Sequence, residues 1–318
     1  MMTTKSIVVV GSINLDLAVS AARNPHAGET ILGTGFDVFT GGKGANQAVA
    51  AARLGHDVHM IGKLGGDKFA AQLLKDLDDA GVHTETITPT SGPSGVALII
   101  GTDSGENRII VIPGANDQLL PCDIERNSTL IRNVGIVLTQ LEIPLETTEA
   151  LVELTSRHGV PLILDPAPFR SLPAEVLRKT DWITPNESET QLLIESTLPV
   201  SDDRLQEVAE YLLSRGPRNV LLKLGERGAY LATQDGARTF IPPFSVRAID
   251  TTAAGDAFNG AFAVALVRGS LPVDAARFAS AVAAISVTRR GALPSMPTQA
   301  EVDSFLTEQS KTQLEATQ

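Results

Sequence analysis

The chain has little of what several classes of protein depend on. Its 318 residues include one cysteine, Cys122, so an internal disulfide and a cysteine-based metal site are both excluded. The residues around Cys122 provide no base that would make it a thiol nucleophile. Five histidines are scattered along the chain, and only His56 and His59 lie close together, at the entry to a predicted strand. That placement favours a structural role over metal binding.

Long apolar runs and basic blocks are also missing. The apolar run Ile7–Val10 near the N-terminus is too short for a signal-peptide core, and no stretch approaches the length of a membrane span. We therefore expect a cytoplasmic protein. The formal net charge of −11 argues against nucleic acid and anionic membranes as partners, although a local basic pocket for phosphate stays open.

What the sequence does contain is a regular alternation of buried strands and helices. With 43% hydrophobic residues the chain can bury one large core, in one or two domains. Short β-branched runs predict strands at Ile7–Val10, Val58–Ile61, Gly135–Leu138, Leu162–Leu164, Trp182–Thr184 and Val220–Leu224. Helical patterns occur at Lys43–Leu54, Lys68–Ala80, Leu145–Arg157, Glu187–Ile194 and Asp203–Ser214. This order predicts a three-layer α/β/α fold around a mostly parallel sheet.

Two regions interrupt this alternation. Residues 15 to 40 and 94 to 112 alternate like antiparallel strands, with no helix between them. Within the second region, Asp103-Ser-Gly105 is a typical hairpin turn. The sequence therefore predicts a small additional antiparallel sheet.

A carboxylate at a helix start carries the strongest chemical signal. In Asp250-Thr-Thr-Ala-Ala-Gly-Asp256 the small residues open an apolar helix, so Ala253 to Asp256 form its first turn, where unpaired N–H groups attract an anion. A base beside such an anion site suits phosphoryl transfer to a hydroxyl. The alternative is an Asp that only supports the first turn of a buried helix.

A second glycine-rich turn leads into a helix at Gly41-Gly-Lys-Gly-Ala-Asn-Gln47 and presents Lys43 and Asn46 together. It differs from a P-loop, because Asp37 stands at the first glycine position and Gly44 follows the lysine. The segment after the first strand retains only Gly11 of the three glycines in a dinucleotide fingerprint. Both common nucleotide folds are therefore disfavoured.

Four motifs together resemble the ribokinase family of carbohydrate kinases. They are Gly11-Ser-Ile-Asn-Leu-Asp16, Gly41-Gly-Lys-Gly-Ala-Asn46, Asn186-Glu-Ser-Glu189 and Asp250-Thr-Thr-Ala-Ala-Gly-Asp256. Their order and spacing match the family from about Ile7 to Phe305. The resemblance implies a single kinase domain over residues 1–318, with a discontinuous β lid at about 14–40 and 94–114 that covers the sugar and pairs two subunits as a homodimer.

Sugar hydroxyls both donate and accept hydrogen bonds, so a sugar pocket needs carboxylates and amides. The resemblance implies a pentose site made of Asn14, Asp16, the Gly42 backbone, Lys43 and Asn46. Glu142, which follows a predicted strand, is a further candidate. Each of these residues alone could instead cap a helix or stabilise a loop.

For the nucleotide, the resemblance points to two segments. Asn186 and Glu189 are three residues apart on one helix, so both side chains are expected to face the same direction. They match an element of the family that is associated with Mg²⁺ and phosphate through water. Lys223-Leu-Gly-Glu-Arg-Gly228 resembles the nucleotide-binding turn, with Gly225, Arg227 and Gly228 allowing close approach, or else it simply forms a hairpin. Lys223 departs from the threonine that many relatives have, so an ammonium group would replace a hydroxyl contact to phosphate.

A K⁺ site is implied by the resemblance alone. The side chains of Asp250 and Ser295 would hold the ion, together with backbone carbonyls of Thr252, Ser286, Arg289 and Gly291. The alternative is a simple loop that ends a helix, which Gly291 and Pro294 would suit.

The resemblance thus implies an ATP-dependent kinase that phosphorylates the 5-hydroxyl of D-ribose. Asp256 would be the base, the amides of Ala253, Ala254 and Gly255 the anion hole, and Lys43 a charge stabiliser, with Mg²⁺ bridging the phosphates. Acceptor choice depends on few contacts, so 2-deoxyribose, a nucleoside such as adenosine, or a ketohexose such as fructose stays open. A noncatalytic sugar-sensing homologue is a further alternative, against which the intact Asp256, Asn186 and Glu189 argue.

Overall fold

The computed structural model describes residues 5–102, 107–195 and 198–316. The strands in these ranges are β1 Ile7–Val10, β2 Asn14–Ala21, β3 Gly35–Gly41, β4 Val58–Leu64, β5 Val82–His83, β6 Ile87–Pro89, β7 Gly95–Thr102, β8 Asn107–Ile112, β9 Ile136–Thr139, β10 Leu162–Leu164, β11 Trp182–Ile183, β12 Asn219–Lys223, β13 Ala229–Thr233 and β14 Arg238–Ile241. The α-helices are α1 Lys43–Arg53, α2 Ala70–Asp79, α3 Pro121–Arg126, α4 Ser128–Asn133, α5 Leu145–His158, α6 Ala174–Lys179, α7 Glu187–Leu193, α8 Leu205–Ser214, α9 Ala254–Val267, α10 Pro272–Ser286 and α11 Gln299–Ala316.

Most strands belong to one large sheet in the order β14-β13-β12-β11-β10-β9-β1-β4-β5, and β6 also pairs with β4. From β12 to β5 neighbouring strands run parallel, whereas β13 and β14 add an antiparallel edge. The sheet therefore presents the carboxyl ends of its parallel strands along one edge.

Helices cover both faces of this sheet, because successive strand residues point to opposite sides. Ile7 and Val9 of β1 pack into a core that also contains residues of α1, α9 and α10. Val8 and Val10 pack into a second core, together with residues of α5 and α8. The three-layer fold predicted from the sequence is confirmed, and the predicted strand and helix positions agree with the observed ones to within two residues at most ends.

Helices α1 and α9 approach each other at a glycine. A Cβ atom at Gly260 of α9 would lie 2.7 Å from the carbonyl oxygen of Gln47 and 2.8 Å from the Cβ atom of Ala50, both in α1. Only a residue without a side chain permits this contact. The helix that carries Asp256 is therefore packed directly against the helix that carries Lys43 and Asn46.

The remaining strands form a separate four-stranded sheet in the order β3-β2-β7-β8. Its two outer pairings are antiparallel, as predicted, and its central pairing of β2 with β7 is parallel. The Asp103-Ser-Gly105 turn predicted between β7 and β8 lies outside the described residues. Asn14 and Asp16 begin β2, so this sheet starts at the edge where the strands of the large sheet end.

No described helix combines the length and the apolar character that a membrane crossing requires.

Candidate active site

Polar side chains from several strand ends converge at the carboxyl edge of the large sheet. Ser12 follows β1, Gln140 follows β9, Asp165 follows β10 and Asn186 follows β11, while Lys223 ends β12. In parallel sheets this edge is where ligands bind. The N-termini of α1 and α9 meet the same edge, and they add Lys43 and Asp256.

Asp256 is buried in the first turn of α9 and accepts two hydrogen bonds. Asn46 Nδ2 donates to its Oδ2 at 2.9 Å, and Gln47 Nε2 donates to its Oδ1 at 3.0 Å. Burial raises the pKa of Asp256 to about 6, and Asp165 adds to the rise, although nearby Lys43 opposes it. A carboxylate with such a pKa is ionised at neutral pH and still takes up a proton readily, as a general base must.

A hydrogen-bond network that was not predicted from the sequence holds one of these two donors, Gln47, in place. Gln47 Nε2 donates also to Asp165 Oδ2 at 3.0 Å, and Gln47 Oε1 accepts from Gln140 Nε2 at 2.7 Å. Asp165 is in turn paired with Lys223 Nζ at 2.8 Å. Lys223 therefore neutralises a buried carboxylate.

The predicted sugar ligands Asn14 and Asp16 are both buried at the start of β2. Asn116, which sequence reasoning missed, donates from Nδ2 to Asn14 Oδ1 at 2.7 Å and accepts from the Ile13 N–H at 2.9 Å. Burial, together with repulsion from Glu142 and Asp256, raises the pKa of Asp16 to about 7, although Lys43 opposes the rise.

The buried acceptors around Asp256 that lack hydrogen-bond partners within the described part of the chain include Asp16 Oδ1, Asn46 Oδ1 and Gln140 Oε1. Unsatisfied buried acceptors are costly, so they mark a position where a ligand donates. A hydroxyl-rich molecule meets this requirement.

The glycine turn before α1 brings its backbone against the strand ends. Gly42 has φ 89°, and a Cβ atom there would lie 2.8 Å from the backbone nitrogen of Asn14. Glu142 Oε2 accepts from Ser12 Oγ at 2.5 Å and from the Lys43 N–H at 3.2 Å. Glu142 Oε2 thus holds the turn in place, and a contact from Glu142 to the sugar stays a prediction.

Lys43 lies among carboxylates. Burial alone would lower the pKa of its ammonium group, but Asp256, Asp165 and Glu142 outweigh that effect and hold the pKa above its ordinary value. Lys43 therefore keeps its positive charge beside Asp256.

The predicted anion hole lies at the start of α9. Ala253 adopts a left-handed conformation with φ 58°, and the helix begins at Ala254. The Ala254 N–H donates to the Thr251 carbonyl at 3.3 Å, so this amide is already engaged, weakly. A Cβ atom at Gly255 would lie 3.4 Å from Lys223 Nζ, which places an ammonium group next to this turn.

Asn186 and Glu189 are arranged differently from the sequence prediction. They do not project from one helix; Asn186 caps α7, and the two residues form a reciprocal capping box. Asn186 Nδ2 also donates to Glu189 Oε1 at 2.9 Å. Burial raises the pKa of Glu189, and Asp165 adds to the rise while Lys223 opposes it.

The predicted nucleotide turn follows β12 as expected. Gly225 and Gly228 both have positive φ, and a Cβ atom at Gly228 would lie 2.2 Å from the Ile241 carbonyl oxygen. The Arg227 side chain instead turns to the surface, where it pairs with Glu187 at 2.7 Å and with Asp202. The turn is preserved, but its arginine is occupied by two carboxylates.

The segments predicted to hold K⁺ lie side by side. Asp250 accepts from the Thr252 N–H and from the Gly291 N–H, each at 2.9 Å. Burial alone would raise the pKa of Asp250, but hydrogen bonds from the Thr252 side chain and from the two N–H groups lower it below its ordinary value. Ser286 Oγ lies 3.3 Å from Ser295 Oγ, and the Arg289 side chain points away to Glu301 at 2.7 Å.

Comparison with known proteins decides the family. A sequence model of the pfkB family carbohydrate kinases matches residues 4–299. The chain belongs to the pfkB family of carbohydrate kinases. The similarity covers nearly the full length of its relatives. The chain is 41% identical to a ribokinase of Bacillus subtilis, over 95% of this chain and 99% of the relative. It is also 37% identical to a deoxyribokinase of Salmonella typhi, over 94% of this chain and 98% of the relative.

Solved structures of this family share the fold. A ribokinase of Arabidopsis thaliana, solved in complex with ribose and ATP, has a TM-score of 0.88 at 34% identity and covers 96% of this chain and 99% of its own. A ribokinase of Thermotoga maritima has a TM-score of 0.87 at 39% identity and covers 95% of this chain and 99% of its own. The three-layer architecture is thus that of these ribokinase structures.

The sequence contains a signal for two of the site residues that were not predicted, Asp165 and Gln47. Asp165 directly follows the predicted strand Leu162–Leu164, and a carboxylate at the end of a buried parallel strand is a candidate site residue. Gln47 stands next to Asn46 in the glycine motif. Asn116 gave no such signal, because it reaches Asn14 from 102 residues away through the tertiary fold.

Proposed function

We propose that this pfkB kinase transfers the γ-phosphoryl group of ATP to the 5-hydroxyl of D-ribose. The observation that carries the proposal is Asp256, a buried carboxylate at a helix start that is oriented by two amide donors and whose pKa lies near 6. The similarity to ribokinases over nearly the full chain and to a structure with ribose and ATP supports the acceptor and the nucleotide.

In the proposed reaction, Asp256 accepts the proton of the sugar hydroxyl while that oxygen attacks the γ-phosphorus. The bond from phosphorus to the bridging oxygen breaks, and ADP leaves. The N–H groups of Gly255 and its neighbours at the start of α9 form the proposed anion hole and would stabilise charge on the transferred group. The Ala254 N–H of this anion hole already makes a weak hydrogen bond to the Thr251 carbonyl. Lys43 would add a fixed positive charge on the acceptor side.

The proposal also specifies which sugar accepts the phosphoryl group. Asn14 and Asp16, with the unpartnered oxygens of Asp16 and Asn46, suit the 2- and 3-hydroxyls of a pentose. A relative that is named a deoxyribokinase makes 2-deoxyribose the main alternative. Loss of a hydroxyl that satisfies a buried carboxylate costs about 1.5–3 kcal/mol, so ribose should exceed 2-deoxyribose by roughly tenfold to a hundredfold in kcat/KM.

A coupled assay of ADP release tests this proposal. We expect kcat/KM to rank ribose above 2-deoxyribose, fructose and adenosine. A preference for any of the last three would overturn the ribose assignment and leave the kinase assignment in place. Absence of ADP release with every acceptor would favour the noncatalytic sugar-sensing alternative.

Mg²⁺ would be held by hard oxygen donors on the nucleotide side. Glu189 and Asp165 are buried carboxylates, and burial is the main cause of the raised pKa of Glu189; Lys223 opposes that rise more strongly than Asp165 adds to it. Carboxylate oxygens are hard donors that suit a divalent cation. When bound with ATP, it would neutralise charge on the phosphates; Glu189, fixed by Asn186, would orient it through water.

K⁺ would bind beside the anion hole, held by the side chains of Asp250 and Ser295 and by the backbone carbonyls of Thr252, Ser286, Arg289 and Gly291. Asp250 already ties the segment before α9 to Gly291, so an ion there would order the turn of Ala253. At matched ionic strength, K⁺ should raise kcat above its value in Na⁺ or tetramethylammonium. Equal rates in the three salts would contradict this site.

We also propose that the four-stranded sheet is a lid over the sugar and the contact surface of a homodimer. One face carries Asp16 and therefore faces the sugar site. The opposite face is apolar and exposed, which is unusual for a surface that stays uncovered; its most exposed residues are Val19, Phe36, Val38, Leu98, Ile110 and Ile112.

A cytoplasmic location and the absence of nucleic-acid and membrane partners stay predictions from composition.

A further inference from the structure

Two histidines that are distant in sequence meet at the edge of the large sheet. His59 of β4 and His83 of the two-residue edge strand β5 are direct neighbours in the parallel register. Their rings stack with centroids 4.6 Å apart and planes inclined by 22°. This spacing equals the separation of adjacent strands, so both imidazoles leave the sheet on the same side.

Carboxylates flank the two rings. Asp57, just before β4, places Oδ1 2.7 Å from His83 Nε2 and Oδ2 3.9 Å from His59 Nε2. Glu85 lies on the other side, with Oε1 3.8 Å from His83 Nδ1. One ligand atom from each of Asp57, His59 and His83 falls within 4.8 Å of the others.

We propose that Asp57, His59 and His83 form a binding site for a Zn²⁺-class divalent ion, separate from the catalytic centre. Two imidazoles and one carboxylate are a donor set that zinc accepts, with the fourth position left to water. Mg²⁺ prefers oxygen donors alone, so the site selects against the cation that the kinase reaction uses. Glu85 would orient His83 by accepting from Nδ1, as carboxylates behind metal-bound histidines do.

The exposure of the side chains suits this role. The side chains of His59, His83 and Asp57 are 25%, 45% and 55% exposed, which leaves the rings room to tilt towards one ion.

The topology separates this site from catalysis. Asp57 and His59 stand at the amino end of β4, whereas the Asp256 site lies at the carboxyl ends of the strands. A bound ion would join the β4 end of the sheet to β5 and so clamp the edge strand. Its expected consequence is greater stability rather than a change in turnover.

Zinc binding is best measured by calorimetry on tag-free protein that was treated with chelator and returned to excess Mg²⁺. We expect one Zn²⁺ per chain. His83→Ala and His59→Gln should each weaken Kd by about tenfold or more, and Glu85→Gln by roughly tenfold. His158→Ala, which removes an exposed histidine on α5, should leave Kd unchanged. Kinase activity without zinc should persist in His83→Ala, which also shows that this variant folds.

Two further measurements, visible absorption with Co²⁺ and thermal unfolding with Zn²⁺, complete the test. Co²⁺ as a probe should give visible absorption bands in the wild type that His83→Ala lacks, and Zn²⁺ should raise the Tm of the wild type but not of that variant. Wild-type affinity in both His83→Ala and His59→Gln would overturn the proposal. So would the absence of stoichiometric Zn²⁺ binding to the wild-type chain.

Discussion

Two carboxylates of this site, Asp16 and Asp256, are buried although burial disfavours their ionised form. Asp256 and Asp16 both have pKa values well above the ordinary range, mainly because the fold removes them from water. An enzyme gains from this, since a base with a raised pKa accepts a proton more readily. The same burial makes each ionised carboxylate costly for the folded state.

Replacement of Asp256 tests the base directly. Asp256→Asn keeps the size of the side chain but cannot take up the proton, so kcat should fall by roughly a hundredfold to ten-thousandfold in the ADP-release assay. One of the two amide donors, Asn46 or Gln47, would then face an N–H group, and a modest loss of Tm is expected. A folded variant with near-normal turnover would show that another group is the base.

The cost of burying Asp16 can be measured as a function of pH. Its pKa rises from 3.8 to about 7 on folding, so the folded state binds the proton more tightly, and stability from this group is present below pH 4 and lost as pH rises to about 7. Asp16→Asn removes that loss. In the absence of sugar, the Tm of the variant minus that of the wild type should therefore increase between pH 4 and pH 8. A difference that stays constant or decreases over this range would contradict the buried, ionising carboxylate.

At the scale of the element, strand β3 sets the position of Asp16. Its last residue, Gly41, pairs with Asn14 across the sheet, and a Cβ atom there would lie 2.1 Å from Asp16 Oδ2. The first residue, Gly35, has room, because its Cβ atom would lie 3.5 Å from Ser20. The same strand thus offers one glycine that the site requires and one that it does not.

The matched pair Gly41→Ala and Gly35→Ala uses this difference. Gly41→Ala should displace the Asp16 carboxylate and reduce kcat/KM for ribose by about tenfold or more, mainly through KM, because a displaced acceptor loses its hydroxyl partner. Gly35→Ala should behave like the wild type. KM for ATP should stay within about twofold in both variants, and an equal effect of the two substitutions on ribose would refute the steric argument.

At the scale of the whole molecule, the four-stranded sheet has two unlike faces. Asp16 pairs with Phe39 and Ala97 on the side of the sugar site, whereas Leu17 pairs with Val38 and Leu98 on the other side. Ile110, which is opposite Leu98, is 61% exposed. Apolar residues along all four strands therefore present a continuous surface that a second copy of the chain would cover.

Sedimentation velocity should detect a dimer in the wild type. Ile110→Asp should shift it towards the monomer, because a carboxylate would be buried without a partner in the interface. Leu271→Asp is the control, since Leu271 is 70% exposed at the start of α10, away from this sheet. A monomeric wild type, or a dimer that survives Ile110→Asp, would place the association elsewhere or exclude it.

The sequence predicts most of this architecture because its signals are local. Buried parallel strands are short apolar runs, and Asp256 follows a helix-start pattern, so both can be recognised within a dozen residues. Contacts set by the tertiary fold were not predictable in this way. Asn116 reaches Asn14, Lys223 pairs with Asp165, and His59 meets His83 only because distant strands become neighbours.

Local patterns also gave one incorrect geometry. Asn186 and Glu189 have the spacing of residues on one face of a helix, but the polar asparagine instead ends the preceding segment and caps the helix. Asparagine and a glutamate three residues later form a capping box as readily as they share a helix face. The spacing alone does not distinguish the two arrangements.

The glycine contact between α1 and α9 limits how this chain can change. Any side chain at Gly260 would push α9 away from the Gln47 carbonyl, and the amide donors of Asn46 and Gln47 would lose their distances to Asp256. Substitutions at this buried glycine should therefore be depleted from an active library as strongly as substitutions of the base itself. Laboratory evolution towards new acceptors therefore has room at positions such as Gly35 of β3, whereas the contact between these two helices has to be kept.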